Sequence, residues 1–215
     1  MKAKVLPLVA LAFLLHASAT AQSSRPATPE EQQFAREKIE TAARAMSSMT
    51  CDFKQTKELS ILDERIVSTG RMFYRRDNRL RWEYLSPYTY TFILNDKKIL
   101  TRTENTRNVV DVKSSRLFQE IVRIMMSSVS GNGLTDEKRF AATFTRGKDA
   151  TWSVTLVPLQ REIKKMFSSI ELTFNEKDFS VENVKMNEPN GDATLVELSG
   201  KLFNAAIEDE VFAID

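Results

Sequence analysis

The residue types that ordinarily carry catalysis are thin on the ground in this chain. It has one histidine, His16, and one cysteine, Cys51. Nucleophilic relays and the common zinc sites both lean on imidazole. His16 falls within a removable amino-terminal segment, so the mature chain is left with none. Glu208-Asp209-Glu210 is a run of neighbours near the chain end, a pattern of solvated faces more than of acid–base pairs. Gly131-x-Gly133 lacks the third glycine and the preceding strand that a phosphate loop needs. Cys51 shares the strand parity of Met49 and Phe53, which makes it a small buried core residue. Arg75, Arg76, Arg79 and Arg81 offer either an anion site or a solvated edge that resists strand pairing. No catalytic residue, metal set or cofactor loop emerges, and the chain is expected not to be an enzyme.

The amino end sets the compartment. Lys2 and Lys4 precede an apolar stretch over residues 5–15, and Ala19-Thr20-Ala21 has the small-x-small form that signal peptidase cuts. Cleavage is expected after Ala21, with export to the periplasm. The apolar stretch is shorter than the ~20 residues of a spanning helix, so the mature chain is expected to have no transmembrane segment. Gln22 stands where a lipid-modified start would need Cys. Loss of Lys2 and Lys4 from 31 basic residues leaves them balanced against 29 acidic ones. Nucleic-acid binders usually carry a basic surplus, so no nucleic-acid partner is expected. Residues 22–27 read as a disordered leader, and 28–215 as one domain.

The elements that would position any site follow from periodicity. Thr28, Pro29 and Glu31 form an N-cap, a first-position proline and a capping box. A helix is expected over 29–47, with Phe34, Ile39, Ala42, Ala43 and Met46 on its apolar face. Alternation then takes over. Met49, Cys51 and Phe53 open a strand, and Gly70 marks a bend or close backbone approach in the next. Leu80, Trp82 and Tyr84, then Tyr88, Tyr90, Phe92 and Leu94, share one apolar face. Short strands follow near 99–103 and 108–112. A second helix over 115–129 spreads Leu117, Phe118, Ile121, Val122, Ile124, Met125, Met126 and Val129 over about 200°, twice an ordinary apolar stripe. Strands resume at Phe140, Trp152, Ile170, Val181 and Thr194. Between 158 and 167 the chain makes one helical turn or a loop.

About eleven strands with helices placed singly describe an α+β fold with a large curved antiparallel sheet. Thirteen Phe, eight Met, two Trp and four Tyr supply more apolar surface than a small core requires. The sheet and the over-apolar helix together point to a cavity. Its expected lining is Trp82, Tyr84, Tyr90, Phe92, Trp152, Leu172 and Phe174, with Phe118, Val122 and Met125 from the helix as lid. Flexible thioethers suit variable ligands.

Several runs resemble one known family. They are Phe53-Lys54-Gln55-Thr56; Ser68-x-Gly70-x-x-x-Tyr74; Arg75-Arg76-Asp77-Asn78-Arg79-Leu80-Arg81-Trp82-Glu83-Tyr84 with Pro87; Asn190-Gly191-Asp192-x-Thr194; and the closing residues 204–212. In that order they are similar to the periplasmic outer-membrane lipoprotein carriers, LolA. The resemblance implies an unclosed half β-barrel whose apolar concave face is covered by helices. It implies a monomeric carrier that takes acylated lipoproteins from an inner-membrane ABC transporter to an outer-membrane acceptor. It also implies that Arg76 bonds to the lid and governs release, although Asp77 stands where many members have Pro. A carrier of another acylated lipid or glycolipid, or a sensing module of the same fold, would look much the same.

Overall fold

The computed structural model describes residues 24–62, 64–114, 119, 123–124, 126–127, 137–147 and 150–214. Residues 1–21, expected to be a cleavable signal, the Gly131-Asn132-Gly133 run and the expected lid side chains Phe118, Val122 and Met125 lie outside these. Of the expected second helix, Gln119, Arg123, Ile124, Met126 and Ser127 are described, and they are helical.

Helix α1 (Pro29–Ala45) begins as its sequence dictates. The Glu31 amide donates to Thr28 Oγ1 at 3.3 Å, and Glu31 Oε2 accepts from the Thr28 amide at 3.0 Å. This reciprocal box satisfies two of the orphan donors of the first turn. Arg25 adds a forked pair to Glu31, at 2.7 and 2.5 Å. The buried residues of α1 are Ala35, Ile39 and Ala43. Phe34, expected on that face, is 46% exposed and meets Phe179 edge-on at 6.1 Å. Ala35 is buried in its place.

The described residues form twelve strands, one before α1 and eleven after it: β1 (Arg25–Pro26), β2 (Ser48–Leu59), β3 (Glu64–Arg75), β4 (Arg79–Ser86), β5 (Tyr90–Asn95), β6 (Lys98–Arg102), β7 (Arg107–Asp111), β8 (Phe140–Arg146), β9 (Trp152–Pro158), β10 (Ser169–Phe174), β11 (Val181–Asn187) and β12 (Ala193–Phe203). They form one antiparallel sheet in the order β1-β8-β9-β10-β11-β12-β2-β3-β4-β5-β6-β7. β12 pairs with β2, so the second half of the chain continues the sheet begun by the first. The sheet does not close, and β1 and β7 are its edges. The strand beyond the expected eleven is β1, inside the stretch expected to be a disordered leader. Arg25 and Pro26 pair with Arg146 and Thr145, and Ala27 donates to the Phe144 carbonyl at 3.0 Å. Two residues of pairing carry too little periodicity to be read from sequence. The 158–167 segment resolves into a one-turn helix (Arg161–Lys164) that buries Ile163.

Alternation sorts each strand onto two faces. The inner face carries the main core: Met49, Cys51 and Phe53, Met72 and Tyr74, Leu80 and Trp82, and on the far strands Phe144, Trp152, Leu172 and Phe174. Ala35, Ile39 and Met46 lie in the same buried cluster, so α1 covers this face. The outer face is not uniformly polar. Thr91, Ile93 and Leu100 are buried on it, and Ile93 and Leu100 join Phe212 in a second core with Phe73, Ile207 and Val211. The turn at Asp209–Phe212 lies over this patch.

Candidate functional site

The β3–β4 connection sits at one mouth of the unclosed barrel, and its arginines divide between the two faces of the sheet. Arg75 donates to the Ile207 carbonyl at 2.8 Å, pairs with Asp209, and lies over the Phe212 ring at 5.2 Å. Arg81 reaches the Val211 carbonyl at 3.3 Å and Glu83 at 2.8 Å. Asn95 donates to the Phe212 carbonyl at 2.9 Å, and Arg107 to that of Ile214. These groups clamp the closing segment to the outer face. Exposed ion pairs contribute ~0–1 kcal/mol, so burial of Phe212 holds the segment more strongly than they do. Arg75 and Arg81 are thus neither an anion site nor a solvated edge.

Arg76 turns the other way. Its Nη2 donates to the carbonyls of Arg44 at 2.5 Å and Met46 at 2.8 Å, with Ala43 at 3.5 Å. These belong to the last turn of α1, where helix carbonyls have no helical donor. A cation there also opposes the negative end of the helix dipole. The Arg76 amide donates to the Ser47 carbonyl at 2.8 Å, which ties the same corner through backbone. Beyond it, Asn204 Oδ1 accepts from the Ser47 amide at 2.7 Å and its hydroxyl at 2.9 Å. The end of α1 is therefore held by side chains from β3–β4 and from the end of β12.

The expected lining residues fall into two groups. Trp82 opposes Phe92 and Tyr84 opposes Tyr90 across β4 and β5. Phe53 joins them, 4.4 Å from the Trp82 ring and 5.2 Å from that of Tyr84. Tyr84, Tyr90 and Phe92 are only half-buried. The Tyr84 hydroxyl donates to Gln55 at 2.9 Å, and burial pushes its pKa up to about 12, so it stays a neutral donor. On the opposite wall Phe174 faces Trp152, and both, with Leu172, are fully buried. One wall of the inner face is thus filled, while the β4–β5 wall keeps aromatic surface in reach. At positions of the opposite parity, Thr173 is partly exposed, Thr91 is buried, and Arg81 reaches the closing segment.

At the mouth beside Arg76 a cavity of about 470 Å³ opens between the β3–β4 turn, the β5–β6 turn and the described helical residues near 119–127. Sequence reasoning missed it, because Arg76, Lys97, Lys113 and Arg123 are too widely spaced in the chain to read as one site.

The runs that carry the family resemblance hold turns and close approaches. Gly70 is where β3 crosses β4 with a register shift, and a Cβ there would lie 2.0 Å from the Glu83 carbonyl oxygen and 2.5 Å from Phe53 Cζ. Asp192 accepts from the Ser60 amide at 2.9 Å and joins the β11–β12 turn to the β2–β3 turn. Cys51 is a buried free thiol, pushed up to about 12 chiefly by burial, and is chemically quiet. Among the described residues, no group of three or more His, Cys, Asp or Glu could hold a metal, and no helix is long and apolar enough to cross a membrane.

Comparison with known proteins agrees with this architecture. Similar solved structures include a conserved protein from Thermus thermophilus, with 10% identity, 84% of this chain and 91% of that one covered, and a TM-score of 0.51. A LolA-superfamily protein from Nitrosomonas europaea is 7% identical over 83% of this chain and 97% of that one, with a TM-score of 0.43. The Mycobacterium tuberculosis lipoprotein LppX is 11% identical over 87% and 100% respectively, at a TM-score of 0.47. At these identities the likeness concerns the fold alone. No curated protein sequence matches the chain. The family of outer membrane lipoprotein carrier proteins, LolA, matches over residues 44–215, and the chain belongs to that family.

Proposed function

We propose that this protein is a periplasmic carrier, not an enzyme. It holds the acyl chains of lipoproteins on the inner face of its unclosed sheet and ferries them from an inner-membrane ABC transporter to an outer-membrane acceptor. The observation that carries this reading is the aromatic wall of Trp82, Tyr84, Tyr90 and Phe92. Trp82 belongs to the main core and Tyr84 and Phe92 pack against it, yet three of the four wall residues keep exposed surface. Each acyl methylene taken from a membrane into water costs ~0.8 kcal/mol, so a carrier must supply replacement burial for whole chains. The apolar inner face of a twelve-stranded sheet supplies it. The family's carriers support the same reading.

Arg76 governs release in this proposal. It fastens α1 over the inner face in the empty protein, and cargo that enters beneath the helix breaks that link. A charge-assisted hydrogen bond contributes ~1.5–3 kcal/mol, which burial of a few methylenes exceeds. Loading opens the clasp, and its reclosure helps to expel the cargo.

The test adds mature protein to inner-membrane vesicles that contain the transporter, ATP and an acylated lipoprotein. The lipoprotein should leave the membrane in a soluble complex with the protein. An unacylated variant of the same lipoprotein should not associate. If acylated lipoprotein stays in the membrane, the reading is wrong. If mass spectrometry then finds another acylated lipid or a glycolipid on the purified protein, the cargo is that lipid instead.

A further inference from the structure

The mouth cavity combines two features that the inner face alone does not have. Its walls carry four cationic side chains, Arg76, Lys97, Lys113 and Arg123, against two anionic ones, Asp77 and Asp96. The chain as a whole is close to neutral. Lys97 lies 3.7 Å from Asp96, a loose pair, and Arg76 uses only Nη2 for the α1 carbonyls among the described residues. The second feature is the floor. Tyr74 is part of the main core, and Val112 and Met126 pack against it, so the floor of the cavity is the edge of the apolar interior.

We infer that this mouth is a headgroup site for a phosphate-bearing amphiphile whose tails lie on the inner face. The inference rests on the acyl-carrier reading and widens its cargo, since it assigns a ligand whose polar end is anionic. A volume of about 470 Å³ falls within the range of small-ligand sites. The cations come from the β3–β4 turn, the β5–β6 turn, the segment after β7 and the helical residues. Donors that converge from separate walls suit the three-directional oxygens of a phosphate better than the plane of one carboxylate. Arg76 is shared between the cavity and the last turn of α1. A phosphate that draws its guanidinium away from the Arg44 and Met46 carbonyls loosens the helix as the tails enter. Head capture and opening of the inner face are then one event.

Two lysolipids with identical tails separate the contributions. Lysophosphatidic acid and lysophosphatidylcholine, each below its aggregation concentration, compete with a fluorescent fatty-acid probe bound to the mature protein. The anionic lipid should bind about tenfold more tightly at low salt, a ratio that a few partly screened charge contacts supply. The ratio should shrink as salt rises. In the Lys97→Glu/Lys113→Glu protein it should fall to one or below, with a thermal melt to check the fold. Lys113→Glu alone should halve the ratio or better, should the double variant fold poorly. Equal binding of the two lipids by the wild type overturns the headgroup site and leaves the carrier reading intact. Failure of both to displace the probe overturns the carrier reading and the inference with it. A ratio unchanged in the charge-reversed proteins also overturns the site. Inorganic phosphate alone should not bind at lysolipid concentrations, and if it does the site is for a free anion instead of a lipid.

Discussion

Gly70 shows what a single residue can demand of a large sheet. Its absent side chain lets β3 approach the Glu83 carbonyl and gives room to the Phe53 ring. The obstructing oxygen is backbone, so it cannot swing aside as a flexible side chain would. Gly70→Ala should therefore destabilise the protein by about 1–3 kcal/mol, the usual cost of overpacking. Denaturant unfolding measures it, and a midpoint equal to wild type would mean the strands part freely there. The sequence allowed the expectation of a bend or close approach at Gly70, because glycine inside a strand pattern has few other uses. It could not name Glu83 as the neighbour, since strand register is set by the partner strand. Arg76 was legible in the same partial way. Its forked donors suit orphan carbonyls, but only the folded chain shows that these belong to α1. Arg75 and Arg81 were not legible at all. Their partners lie about 130 positions away, and nothing local distinguishes them from solvated arginines.

Helix α1 is fixed at both ends by side chains from other elements, which makes it the element whose attachment can be tuned. At its start, the Arg25 fork and the Thr28 amide hold the Glu31 carboxyl down to about 2, far below its ordinary value of 4.5. A depressed carboxylate adds stability that is complete above the ordinary pKa and is lost as pH falls through the folded one. The start of α1 should therefore loosen between about pH 4.5 and pH 2. Amide exchange local to residues 28–35 reads this directly, apart from the acid loss at Asp192 and Asp209, which are also lowered. Glu30 in the same turn is lowered as well, so Glu31→Gln should reduce that dependence without abolishing it, and an unchanged acid response in the variant would place its origin elsewhere. At the other end, Arg76→Leu should cost about 1.5 kcal/mol, the low end for a charge-assisted bond because Arg76 is exposed. It should leave cargo uptake in place and impair handover to an acceptor membrane. Arg76→Lys should restore only part of the handover, because an ammonium has no fork. If both steps run at the wild-type rate in Arg76→Leu, the residue does not gate release. The start of α1 was readable because a capping box is local. Its buried face was read one residue off at Phe34, which is exposed while Ala35 is buried, because periodicity alone does not fix how the helix is rotated about its axis.

At the scale of the whole molecule, one sheet separates two jobs. Its inner face holds the aromatic wall and α1, and its outer face is sealed by the closing segment around Phe212. Alternation along β4 and β5 revealed the inner face in the sequence. The outer core stayed hidden because Phe212 must cross more than a hundred positions to meet Ile93 and Leu100. This division predicts a double dissociation. Phe212 is fully buried, and a Phe→Ala change at such a site costs about 3–5 kcal/mol through lost transfer and a residual cavity. The second core is small and at the surface, so its partners can partly collapse, and about 3 kcal/mol is the expected loss. Lipid affinity, measured well below the lowered melting temperature, should stay within about twofold of wild type, since no ligand surface is touched. Tyr84→Ala is the converse. Tyr84 is half-buried and already gives up part of its ring to solvent, so its loss should cost less stability than that of Phe212 and weaken acyl-chain binding about tenfold or more. That figure corresponds to ~1.4 kcal/mol, a modest share of what an aromatic side chain contributes when it covers a ligand. Each variant needs both a denaturant titration and a displacement titration with a fluorescent fatty acid. If Phe212→Ala loses binding as deeply as Tyr84→Ala, the faces are coupled through the sheet, and the closing segment takes part in holding cargo.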